Sequence, residues 1–244
     1  MEYKISVVIR TYNEQKHIGE VLESLKLQTY KNYEIIIVDS GSTDMTLEIA
    51  EKYNVKIVKI KKEAFNYSYA SNIGVKNSTG DIVCFLSGHS VPINENYLYE
   101  TNKCFQNNKV GGCYGDVIAL EDGSIYEKIY NKLGILKNRM LKKKEDIIYE
   151  KNFHKGMLSC SNASIKKEIL LQHPFVDELG KRGGEDLELA YRILEKNMVI
   201  AMNPKLIVKH SHGNNLIKFI KEIINWRIIY NEVINYIEKT KEKK

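Results

Sequence analysis

The sequence predicts an α/β fold, a mostly parallel sheet flanked by helices, and three observations predict it. In the first 92 residues, short apolar runs alternate with stretches of helical periodicity. A polar loop follows each run, and the runs are strand-length, as in Ile35-Ile36-Ile37-Val38. Ile5-Ser6-Val7-Val8-Ile9 reads as a buried strand. Residues 16–28 follow as a helix, with Ile18, Val21, Leu22 and Leu25 on one face. Residues 34–38 are the second strand, after which Thr43 or Asp44 is placed to cap a helix through Tyr53. A third strand over 55–60, a helix over 67–76 and a fourth strand over 81–86 complete a β-α-β-α-β-α-β order.

After Pro92 the pattern predicts a helix over 97–106, a strand over 112–119 and a basic segment over 128–144. In that segment Ile129, Leu133, Leu136 and Met140 form a narrow apolar stripe on an otherwise basic helix. Further strands are expected over 158–165 and 199–208, and a helix over 185–196. From Leu216 one helix runs to Ile237, with a seam of Leu216, Ile220, Ile223, Trp226, Tyr230, Val233 and Ile237. That seam suits packing on the domain, pairing with a second copy as a homodimer, or contact with a bilayer. The expected division is 1–214, with halves 1–92 and 93–214, followed by a C-terminal amphipathic helix over 215–244.

Composition narrows the function. At 244 residues, 43% hydrophobic and 28% charged, the chain can bury a core, and no stretch nears the roughly 18 to 20 apolar residues of a membrane span. The first residues lack a signal-peptide pattern, and Cys84, Cys104, Cys113 and Cys160 show neither CxxC spacing nor disulfide density. Reduced thiols and a cytoplasmic location are expected. Net charge is +6, but residues 128–144 hold seven basic residues and no acidic one, so the rest is near neutral. One anionic surface or ligand fits this pattern, and nucleic acid does not.

In such a sheet the ligand crevice lies beyond the carboxyl ends of the strands. The loops there are Arg10-Thr11-Tyr12-Asn13-Glu14, Asp39-Ser40-Gly41-Ser42-Thr43-Asp44, Phe65-Asn66-Tyr67-Ser68-Tyr69 and Ser87-Gly88-His89-Ser90-Val91-Pro92. Carboxylates on the first two can accept from base or ribose groups. There is no GxGxxG at the first turn and no GxxxxGK[ST] loop, which removes the main support for dehydrogenase and P-loop readings.

The first two loops with their strands, then Asn72-Ile73-Gly74 leading to Gly80-Asp81, and finally Gly184-Glu185-Asp186-Leu187-Glu188-Leu189-Ala190-Tyr191-Arg192, resemble family 2 glycosyltransferases of the GT-A fold over residues 4–212. The resemblance implies a Rossmann-like nucleotide-sugar-binding half, an acceptor-side half and the C-terminal helix. It implies that a nucleoside-diphosphate sugar lies against Thr11, Asn13, Glu14, Asp39, Ser42, Asn72, Ser87, Gly88 and His89. Of these, Thr11 and Glu14 line the nucleoside pocket, Asp39 meets the base, and Asn72 sits near the sugar-phosphate. Asp186 takes the place of the general base, and Glu185 beside it raises its pKa by like-charge repulsion.

The sequence departs from the family pattern in two places. Ser87-Gly88-His89 stands where an Asp-x-Asp motif holds Mg²⁺ or Mn²⁺, and Ser71 stands where relatives often carry an Arg that contacts phosphate. Three readings follow: His89 ligates Mn²⁺ with His210 or His212; His89, Lys155 or Arg182 neutralises the diphosphate without metal; or the site is degenerate. The loop 87–92 also resembles that of rhamnosyltransferase-like members, which favours a deoxysugar donor. The expected function is inverting transfer of a hexose or deoxyhexose to a glycan or lipid-linked acceptor in surface polysaccharide assembly, at the inner face of an anionic membrane. Its rival is a non-catalytic nucleotide-sugar-binding or assembly subunit.

Overall fold

The computed structural model describes residues 1–142 and 146–242, the side chains of 137–142 excepted. Met140 of the expected stripe, and the basic side chains of Lys137, Arg139, Lys142, Lys143 and Lys144, therefore lie outside what is described.

The chain runs β1 (Ile5–Thr11), α1 (Ile18–Lys26), β2 (Tyr33–Asp39), α2 (Thr46–Ala50), β3 (Lys56–Lys59), α3 (Tyr67–Asn77) and β4 (Ile82–Ser87). It continues with β5 (Val91–Pro92), α4 (Tyr97–Cys104), β6 (Val110–Tyr114), β7 (Val117–Ile118), α5 (Ile125–Lys142) and β8 (Ile148–Glu150). Last come β9 (Ala163–Lys166), α6 (Lys167–Gln172), α7 (Glu185–Glu195), β10 (Val199–Met202), β11 (Val208–Lys209) and α8 (Leu216–Lys241). The main sheet has the order β3-β2-β1-β4-β9-β6-β10-β8, and a second sheet has the order β5-β11-β7. The β3-β2-β1-β4 half is parallel, and β9 enters antiparallel between β4 and β6.

The parallel half forms around central strands buried on both faces, with β3 at the exposed edge: every residue of β1 from Ile5 to Ile9 is buried. One core packs α1 and α4 on one face, and the other packs α3, α6 and α7 on the opposite face. Helix α3 lies unusually close to the sheet, since a Cβ on Gly74 would come within 2.3 Å of Val8 Cγ1. Its start is fixed by Asn66, whose side chain accepts from the backbone of Ser68 and Tyr69.

The first four strands and three helices fall where the sequence predicts them. Helix α2 is shorter, ending before Tyr53, and Asp44 accepts from the Thr46 backbone just ahead of it. The strands expected over 112–119 and 199–208 each divide, because β6 and β10 pair in the main sheet while β7 and β11 pair in the second. The strand expected from Leu158 begins only at Ala163. Leu158 is left-handed (φ 56°), and buried Asn162 donates to the carbonyls of Asp116 and Leu206 while accepting from the Tyr97 hydroxyl. Those bonds turn the chain where a ladder would have continued it.

Helix α8 is divided in its surroundings. Val233 and Ile237 share a core with α7, whereas Leu216, Ile217, Ile220, Ile224, Trp226 and Ile228 are exposed. All four cysteines are buried free thiols. Among the described residues no helix is long and apolar enough to cross a membrane.

Placing a methyl group between α3 and β1 forces overpacking, so Gly74→Ala should cost about 1–3 kcal/mol in urea unfolding. The same change made on Val8→Ala should cost less, because the clashing Cγ1 is gone.

Candidate active site

A cavity of about 810 Å³ opens beyond the carboxyl ends of β1 and β4 and runs under the start of α7 to helices α5 and α8. Strand β1 pairs with β2 on one side and β4 on the other. The chain reverses its winding direction there, and the splayed loops leave a crevice.

Asp186 is held in the first turn of α7 at the cavity wall. The Cys160 N–H donates to its Oδ2 at 2.9 Å and the Leu187 N–H to its Oδ1 at 2.7 Å. The turn that replaces the expected strand after Leu158 is what presents the Cys160 N–H. Burial above all, and then the charge of Glu185, push the Asp186 pKa up to about 7, against the pull of the Cys160 N–H and Arg10. Glu185 itself is buried. Its Oε1 meets Arg10 Nη1 at 3.3 Å and its Oε2 accepts from the Gly184 N–H at 2.8 Å. Arg10 also reaches Ser71 Oγ at 3.3 Å and lies over the Tyr67 ring. The small Ser71 thus leaves room for a guanidinium arriving from β1.

The other expected residues divide into two groups. Thr11, Glu14, Ser87 and His89 line the cavity, while Asn13, Asp39, Ser42, Asn72 and Gly88 do not. Asp39 is buried and spends its carboxylate on its own loop, accepting from Thr11 Oγ1, Ser42 Oγ and the backbone of Gly41 and Ser42. Asn13, left-handed at φ 55°, accepts from the Thr43 N–H. Asn72 clamps the Phe175 backbone through both amide atoms, at 2.9 and 3.0 Å. Gly88 serves by its lack of a side chain, since a Cβ there would come within 2.5 Å of Glu14 Cγ.

That close approach puts His89 against Glu14, with Nδ1 to Oε1 at 2.8 Å. The antiparallel pairing of Lys209 with Val91 then brings His210 beside it, the rings stacking 4.4 Å apart. His212 joins them, held from behind by its N–H donating to Glu127 Oε1. Glu127 also forms a reciprocal cap with Ser124 at the start of α5. One ligand atom from each histidine lies within 4.8 Å of the others. Burial, and then His89 and His212, hold the His210 imidazole well below its ordinary range. A second cluster of Cys160, Glu185 and Asp186 is equally close, but Arg10 beside it opposes a cation there.

Arg10 and Tyr67 fall on loops expected at the crevice, but sequence reasoning gives them no role there, and it does not place the aromatic wall of Tyr130, Phe219, Trp226 and Tyr230 at the cavity. Tyr130 packs edge-on against Phe219 at 5.7 Å and lies 6.2 Å from Trp226. The surplus of aromatics on the two helices was the available signal.

The model of the family described as Glycosyl transferase family 2 matches residues 6–173. A Methanococcus voltae protein, dolichyl N-acetyl-alpha-D-glucosaminyl phosphate 3-beta-D-2,3-diacetamido-2,3-dideoxy-beta-D-glucuronosyltransferase, is 28% identical over 91% of this chain and 71% of its own length. Among solved structures, Staphylococcus aureus TarS 1-349 superposes with a TM-score of 0.66 at 21% identity, covering 85% of this chain and 60% of that one. The mannosyltransferase PcManGT from Pyrobaculum calidifontis, in complex with GDP-Man and Mn²⁺, gives 0.63 at 20%, covering 86% and 57%. The chain thus spans less than two thirds of either solved structure, and at these identities the likeness is one of fold.

A carboxyl whose folded pKa of about 7 lies above its ordinary value of 3.8 ionises at a cost to stability. That cost begins near the ordinary value, grows with pH and is complete above about 7. Asp186→Asn should therefore melt higher than the wild type at about pH 8, and the two melting curves should converge below about pH 4.

Proposed function

Because the chain belongs to glycosyl transferase family 2, we propose that it is an inverting glycosyltransferase moving a hexose or deoxyhexose from a nucleoside-diphosphate sugar to a glycan or lipid-linked acceptor in surface polysaccharide assembly. One observation carries the reading: a cavity-wall carboxylate, Asp186, whose pKa of about 7 lets it accept a proton near neutral pH. An acceptor hydroxyl gives its proton to Asp186 and its oxygen attacks the anomeric carbon. The bond from that carbon to the diphosphate oxygen breaks on the opposite face, and the electron pair leaves with the nucleoside diphosphate. Configuration inverts. Glu185 acts through Asp186, as a positioning residue, by repelling the charge on it. Arg10, Lys155 and Arg182 line the cavity and favour the diphosphate. A divalent cation held near His89 would add positive charge against the leaving group. A degenerate, purely binding site gives no reason for a carboxylate poised this way, which favours the enzyme.

The M. voltae relative carries a dolichyl-linked acceptor in its name, which supports a lipid-linked acceptor here. So do the exposed side chains of α5 and α8, the two helices that contribute the aromatic wall of the cavity. Ile125, Ile129, Leu133 and Leu136 on α5 and Ile217, Ile220, Ile224 and Ile228 on α8 are exposed at helical spacing. Lys128, Lys132, Lys218, Lys221 and Arg227 are exposed among them. Apolar side chains with a basic surround suit peripheral contact with an anionic bilayer from the cytoplasmic side.

Asp186→Ala should abolish transfer while nucleoside-diphosphate binding, read by calorimetry, survives; undiminished turnover would remove the assigned base. In Glu185→Gln the acidic limb of kcat/KM against pH should move below the wild type's limb near 7, because a like charge beside Asp186 is lost. Replacing Ile129, Leu133, Ile220 and Ile224 with Ser should weaken co-sedimentation with phosphatidylglycerol vesicles, and raised salt should weaken that of the wild type. A salt-insensitive self-association lost in the same variant would instead mark these helices as a contact between two copies.

A further inference from the structure

We propose that His89, His210 and His212 form a three-imidazole site for a borderline transition-metal ion of the Zn²⁺ or Co²⁺ kind, and that this site rejects Mg²⁺. The inference deepens the transferase reading by naming the ion class, and it rests on how each ring is held.

One nitrogen of every ring already has an oxygen partner. His89 Nδ1 lies 2.8 Å from Glu14 Oε1, His210 Nδ1 lies 3.0 Å from Ser90 Oγ, and His212 Nε2 lies 3.6 Å from Glu222 Oε1. A ring nitrogen from each of the three falls within 4.8 Å of the others. For His89 the remaining nitrogen, Nε2, is buried without a hydrogen-bond partner among the described residues. An imidazole tied to a carboxylate through one nitrogen, with the other buried and unpaired, is the arrangement that protein metal sites use to fix the tautomer and make the free nitrogen more basic. An orphaned buried nitrogen costs free energy unless something accepts its lone pair.

The donor set decides the ion. Mg²⁺ demands oxygen ligands in a near-ideal octahedron and gives up its waters reluctantly. This position offers three nitrogens, and Glu14 is occupied by His89. Imidazole suits Zn²⁺, Co²⁺ and Ni²⁺, and affinity for such sites climbs from Mn²⁺ toward Cu²⁺. Three protein ligands also leave a coordination position for water or a substrate oxygen, as in zinc sites that do chemistry. The three histidines come from two segments, 87–92 and 208–212, joined by the β5–β11 pairing. The site is therefore built by the second sheet and does not need the nucleotide to assemble.

The test uses the untagged full chain and metal alone, with no nucleotide and no assay of transfer, so its outcome is separate from that of the transferase reading. Equilibrium dialysis against Zn²⁺, Co²⁺, Mn²⁺ or Mg²⁺, followed by elemental analysis, should find one equivalent of Zn²⁺ or Co²⁺ retained and Mg²⁺ lost. Bound Co²⁺ should show visible d–d bands. His89→Ala, His210→Ala and His212→Ala should each lose the bands and the retained ion, with circular dichroism reporting the fold. His212 is exposed, so its variant tests the site even if the other two unfold. Glu14→Gln should keep the bands but bind about 10- to 100-fold more weakly. Mg²⁺ held as tightly as Zn²⁺, or no ion retained at all, would overturn the proposal. So would Co²⁺ bands that survive loss of His212 yet vanish in Asp186→Asn, since they would assign the ion to the Cys160–Glu185–Asp186 cluster.

Discussion

The buried pair of Arg10 and Glu185 fastens the end of the first strand to the first turn of α7, across the two halves of the chain. Arg10 sits near the end of β1 and Glu185 opens α7, and their contact crosses the cavity floor at 3.3 Å. A charge pair so enclosed gains little net stability, but losing one member strands the other in a poor solvent, at a typical cost of about 3–5 kcal/mol. Its effect is chiefly geometric. With Glu185 locked to Arg10 and to the Gly184 N–H, the next side chain on the helix, Asp186, is turned to the cavity wall and to the Cys160 N–H. Burial raises its proton affinity most, and the same charges adjust it, Glu185 raising it and Arg10 lowering it.

A second constraint is the small sheet β5-β11-β7. Two-residue pairings add little to stability, yet this sheet does what the long strands cannot. It folds the segment before Val91 against the segment after Lys209 and so stacks His89 on His210. Glu127 then ties both His212 and the cap of α5 to the same place. The cation-binding candidates and the aromatic wall are thereby coupled through one buried carboxylate.

Several polar residues with the look of ligand contacts are consumed by the architecture. Asp39 accepts four hydrogen bonds from its own loop and from Thr11, and Asn72 bridges α3 to the backbone of Phe175. Both stabilise the walls of the crevice, while Thr11, Glu14, Ser87 and His89 line the cavity together with Arg10 and Tyr67. A polar residue after a strand is required either to bind or to shape the loop that binds. Spacing alone does not separate these uses, because both need the same donors and acceptors.

Local patterning is enough for the α/β class, the first four strands with their three helices, and the carboxylate at the start of α7. These rest on local physics: continuous apolar runs for doubly covered strands, a period near 3.6 for helices, and polar loops at carboxyl ends. It also marked α8 as amphipathic, without deciding what its apolar side chains meet. Tertiary structure decided the rest. It split the strands expected over 112–119 and 199–208 between two sheets, replaced the strand after Leu158 with the turn that holds Asp186, and buried only part of α8. It also gathered Arg10 with Glu185, and His89 with His210 and His212, across long separations in the chain. Such meetings are fixed by which elements pack together, a property of the whole chain's burial that no window of neighbouring residues encodes.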